Sequence, residues 1–71
     1  MRRTLIFTRL DGEGERILEA FGERTGLAGT GGDRRTIFQL DGADRPIDAL
    51  AELEAIDPDW ADHLRLENPQ T

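Results

Sequence analysis

Apolar positions change their spacing several times along the chain, and each change marks an element. Residues 3–10 form a short β-branched and aromatic run, Arg-Thr-Leu-Ile-Phe-Thr-Arg-Leu, closed by Asp11-Gly12, and this pattern predicts a strand. Over 13–25 the apolar residues Ile17, Leu18 and Phe21 recur at helical spacing, with Glu13 and Glu15 in the first turn where the helix dipole favours acids. Asp11 or Gly12 caps this helix and Gly26 ends it. Residues 27–30 are expected to form a short edge strand, followed by the hairpin signal Gly31-Gly32-Asp33. A further strand over 35–40 ends at Asp41-Gly42, as the first ends at Asp11-Gly12.

A second helix is predicted over 45–56, capped by Asp44, with Pro46 in its first turn and Ile47, Leu50, Leu53 and Ile56 spaced for burial. Asp57-Pro58-Asp59-Trp60 halts it, residues 63–67 alternate as a half-buried strand, and 68–71 form a frayed tail. The expected order is β-α-β-β-α-β over a single domain of residues 1–67. That is an α+β, ferredoxin-like arrangement in which two helices cover one face of a four-stranded antiparallel sheet. A three-stranded βαβαβ sheet is the alternative if the glycine-rich second strand does not form.

Alternation puts Leu5 and Phe7 on one face of the first strand and Ile6, Thr8 and Leu10 on the other; Ile37 and Gln39 likewise oppose Phe38 and Leu40. Both faces carry apolar groups while the helices cover one. Ile6, Phe7, Thr8, Ile37 and Phe38 are therefore the candidate interface residues, for a homodimer or another partner.

Seventy-one residues allow one small core, and without cysteine no disulfide or thiolate metal site supplements it. The missing cysteines point to the cytoplasm, or to a partner subunit that completes the burial. No apolar run approaches the roughly 20 residues of a membrane helix, and the N-terminus carries no signal-peptide pattern. The net charge of −6, with fifteen acids against nine arginines and no lysine, argues against nucleic acid as partner.

The chain contains no serine, cysteine, lysine or tyrosine, which removes Ser-His, Cys-His and Schiff-base nucleophiles. His63 is the lone histidine and reads as a strand-edge residue. Asp57 and Asp59 read as turn caps, and Asp11, Glu13 and Glu15 as capping and dipole compensation in preference to a cation site. The loop 29–32 lacks the Lys-Ser/Thr of a phosphate cradle. Trp60 closes the end of the core or anchors an interface. Phe7 and Phe38 invite comparison with RNA-stacking aromatics, but charge and strand motifs do not fit. No catalytic residue, metal or cofactor is expected. Arg2, Arg3, Arg34 and Arg35 form the best candidate patch for an anionic ligand, because arginine forks grip carboxylates and phosphates.

An apolar strand, Asp11-Gly12-Glu13-Gly14 opening a helix, Gly26-Leu27 closing it, the glycine hairpin, a strand over 36–40 and a leucine-rich second helix together resemble ACT domains. These are small ferredoxin-like modules that bind amino acids or related metabolites and regulate enzymes. The resemblance covers nearly the whole chain, with two departures: a short second strand, and Glu13 where proline often precedes the glycine. It implies a non-catalytic sensing or regulatory domain, with Asp11, Gly12 and Gly14 as a corner where an amino acid or anion meets helix N–H groups, assisted by Arg34 and Arg35. A protein-interaction adapter that docks through the open sheet face or the acidic surface is the alternative function.

Overall fold

A computed structural model describes residues 4–32 and 34–67. The expected start of strand one at Arg3, the patch residues Arg2 and Arg3, Asp33 of the hairpin, and the tail 68–71 lie outside the described residues. The elements run β1 (Thr4–Arg9), α1 (Gly12–Thr25), β2 (Arg35–Gln39), a 3-10 turn at Leu40–Gly42, α2 (Ala49–Ile56), a second 3-10 turn at Trp60–Asp62, and β3 (Leu64–Leu66). The described strands form one antiparallel sheet in the order β2-β1-β3, with β1 central.

Local chemistry sets the bounds of α1. The Asp11 side chain accepts from the Gly14 N–H at 3.0 Å, which satisfies one of the orphan donors of the first turn. At the other end Gly26 adopts φ 76°, where a side chain is disfavoured, and its N–H returns to the Gly22 carbonyl at 2.8 Å. Thr25 is buried there because its hydroxyl donates to Phe21 O at 2.7 Å and accepts from Leu27 N.

Two expectations are corrected. Residues 27–30 do not form a strand: Thr30 alone makes an isolated antiparallel bridge to Ile37, so the sheet has three strands where four were expected. The physical reason lies at Gly29, whose missing side chain lets the segment sit against Thr36 and Phe38; a Cβ there would come within 2.8 Å of Thr36 Cγ2. The segment is held by side-chain packing, and only Thr30 reaches the outer edge of β2. The second helix begins at Ala49 and not at residue 45, because Arg45 precedes Pro46, which disfavours helical backbone, and Asp48 is the cap that accepts from Ala51 N at 3.2 Å. Ile47 is still buried, but from the approach segment, while Leu50 is exposed.

One core joins these pieces. Leu5 and Phe7 of β1, Phe38 of β2 and Leu64 of β3 meet Ile17, Leu18 and Phe21 of α1 and Leu53 of α2. Both helices thus lie on the same side of the sheet. Phe7, Phe21 and Phe38 form a mutual edge-to-face trio with centroids 4.9–6.1 Å apart, a favoured geometry for aromatic quadrupoles. Between the helices, Arg24 and Arg45 both pair with Glu52, and Arg45 donates to the Arg24 carbonyl at 2.9 Å. The Arg24 guanidinium, ahead of Arg45, holds the Glu52 carboxyl below its ordinary range. Trp60 is half-buried against this core, in agreement with its expected closing role.

Candidate functional site

The first corner, where β1 passes into α1, is sealed by the chain itself. His63 O accepts from Leu10 N at 2.9 Å and lies so close to Gly14 that a Cβ there would approach it to 2.5 Å and Leu64 Cδ2 to 3.0 Å. Gly14 is therefore glycine because the turn before β3 packs on it, not because the corner stands open to a ligand. Asp11 is also committed: one carboxylate oxygen caps Gly14, and the other meets His63 Nδ1 at 2.8 Å. That mutual hydrogen bond is the leading cause that lowers the Asp11 carboxyl and raises the His63 imidazole from their ordinary values. The pair clasps β3 onto the start of α1.

The acids expected as a possible cation cluster diverge, since Glu13 turns to Arg16 at 3.2 Å while Asp11 faces His63. No group of three or more metal-ligating side chains converges among the described residues. Gly12 is exposed, with nothing within 4 Å of a Cβ placed on it. Asp11, Gly12 and Arg34 line one shallow hollow of about 300 Å³ together with Arg9, Leu10 and Glu15. The Arg34 carbonyl there accepts from both the backbone N–H and the Nε–H of Arg9.

Arg35 stands elsewhere, on the sheet face that the helices leave uncovered. Phe7 and Phe38 do not belong to that face: they are 0% and 1% exposed and sit in the aromatic trio under α1, so their place as candidate interface residues is corrected. Odd positions on β1 turn to the core, and only Ile6, Thr8 and Ile37 of the expected set remain outside. Registration of the strands supplies what surrounds them. Ile6 pairs with Ile37 at the centre, and Thr8 pairs with Arg35 on one side and Arg65 on the other.

The row Arg35–Thr8–Arg65 thus crosses all three strands, with two guanidiniums flanking one hydroxyl. Glu67 follows on the same face of the chain, its backbone N–H fixed to Ile6 O at 2.8 Å. Its carboxylate accepts from the Thr8 hydroxyl through one oxygen and meets Arg35 Nη2 at 3.4 Å through the other. Arg65 has no ion-pair partner among the described residues, so the row carries one more positive charge than it neutralises. Such an excess stands out on a chain whose net charge is −6.

Arg65 and Glu67 were missed as site residues in the sequence. The available signal was the alternation of residues 63–67, which puts both on the polar side of the last strand. Nothing in the sequence says that this side faces Thr8. Compared with family models, curated proteins and solved structures, the chain matches none, so the site rests on its own geometry. No described helix is long and apolar enough to cross a membrane.

Proposed function

We propose that this chain is a non-catalytic sensing or regulatory module that takes a small carboxylate-bearing ligand on its open sheet face. The observation that carries this reading is the Arg35–Thr8–Arg65 row, in which a hydroxyl and a guanidinium already hold a carboxylate, that of Glu67. Arginine suits the task because its planar fork matches a carboxylate and stays charged. The proposed ACT-like, ferredoxin-like kinship enters through element order, and the Thr30–Ile37 bridge at the outer edge of β2 supports it. It does not enter through the Gly14 corner, which is filled. The missing cysteines fit a cytoplasmic setting.

Thermal unfolding in a panel of carboxylates and amino acids tests this. A ligand at a hundred times its dissociation constant adds about 2.7 kcal/mol, which moves the midpoint of so small a domain by about 10 °C or more. Arg65→Gln and Arg35→Gln should each reduce that shift. If no carboxylate raises the midpoint of the native chain, the reading is wrong.

A second reading, a protein-interaction adapter or a homodimer, is favoured by the apolar groups on the same face. Ile6 and Ile37 are half-buried side by side, and Leu10, 49% exposed, lines a hollow with Thr8, Arg65 and Glu67. Its test is the solution mass of the chain with and without Ile37→Thr. A monomer in both cases removes the homodimer.

A further inference from the structure

We infer that Glu67 is a built-in competitor for the carboxylate site, so that ligand binding displaces the Glu67 side chain from Thr8 and Arg35. This rests on the function proposed above and adds its regulation. Three features carry it. Glu67 is the carboxylate seated against both Thr8 and Arg35, so any carboxylate that uses those two donors must take its place. Its backbone is anchored at Ile6 O while the side chain reaches across the sheet, so the side chain can swing away without loss of the strand pairing. The pair is also exposed enough to exchange: the Arg35 and Glu67 side chains retain 60% and 30% of their accessible surface. An ion pair of this exposure holds weakly, so it lowers affinity for an outside carboxylate without closing the site.

Apparent affinity falls in proportion to the fraction of molecules in which the site is free. Taking away the Glu67 charge should therefore strengthen binding by about threefold to fivefold, the gain that an exposed ion pair allows.

Isothermal titration with succinate on the full chain, native, Glu67→Gln and Glu67→Asp, tests the inference. Glu54→Gln, on the exposed side of α2, serves as the control that removes the same charge far from the site. The expected result is tighter succinate binding for Glu67→Gln than for both native and Glu54→Gln, with Glu67→Asp between native and Glu67→Gln. Equal affinity in native and Glu67→Gln overturns the competitor role and leaves the carboxylate site intact. An equal gain from Glu54→Gln also overturns it, because overall charge then explains the effect. Absence of succinate binding in every form overturns both the competitor and the site. Fluorescence of Trp60 through a melt verifies that each variant is folded, and should Glu67→Gln not fold, the order of native against Glu67→Asp decides the matter in the same way.

Discussion

Two glycines in the first turn of α1 offer a contrast whose sign is set by the tertiary structure alone. Helix propensity favours alanine over glycine by about 0.5–1 kcal/mol, and it does so at both Gly12 and Gly14. A Cβ at Gly12 meets nothing within 4 Å, so Gly12→Ala should be neutral or stabilising by up to that amount. A Cβ at Gly14 meets His63 O at 2.5 Å, and that oxygen is a backbone atom already bonded to Leu10 N. Relief requires the turn before β3 to back away, which strains the packing of Leu64 and weakens that hydrogen bond. Overpacking of this kind costs about 1–3 kcal/mol and a weakened hydrogen bond about 0.5–1.5, against the propensity gain. Gly14→Ala should therefore lose about 1–3 kcal/mol net. For a domain of this length that is a fall in midpoint of about 4 °C at the low end and more than 10 °C at the high end. Urea unfolding followed by Trp60 fluorescence, repeated by circular dichroism to test for a single transition, reads both variants on one scale. If Gly14→Ala proves as stable as Gly12→Ala, the close packing of β3 on the helix start is wrong, and the corner would again be open to a ligand.

Other consequences can be measured in the same assay. The His63 imidazole, raised above its ordinary 6.5 chiefly by the hydrogen bond to Asp11, contributes stability below that value and loses it as pH rises through the folded value. Asp11, lowered below its ordinary 3.8 chiefly by His63, contributes above that value and loses it as pH falls further, so the clasp is strongest between about pH 4 and 6.5. Replacing His63 by glutamine should flatten the decline in melting midpoint between pH 6 and 8, and an unchanged slope would remove the clasp. Leu53→Ala takes away the single fully buried side chain of α2 and should cost about 2–5 kcal/mol; a loss under 1 kcal/mol would mean that α2 is not docked. Phe38→Ala breaks two edges of the aromatic trio at a cost of about 3–5 kcal/mol, against a total of about 4–10 for a chain this size, so cooperative melting should be nearly lost.

Local signals were legible where the cause is local. β1, α1 with its Asp11 cap and Gly26 stop, and β2 follow from alternation, helical spacing and caps, and the structure places them within a residue or two. The second helix was misjudged by one turn because Ile47 continues the apolar spacing, while the Asp48 carboxylate and the Pro46 restriction decide the start. Residues 27–30 were misjudged because a strand exists only where a neighbouring backbone accepts it, and here side-chain packing at Gly29 takes precedence.

The alternation within β1 and β2, the helical spacing of α1, the absence of common nucleophiles and the acidic balance were determined by the sequence by itself, since each follows from residue types and from periods of two or 3.6. Strand registration belongs to the tertiary structure: it set Arg65 and Glu67 beside Thr8 and Arg35, buried Phe7 and Phe38 with Phe21, and drove the His63 carbonyl into the space left at Gly14. The physical reason is that these contacts join segments far apart in the chain, and which strand edges meet is decided by the shared core they bury together, a quantity that no local pattern contains.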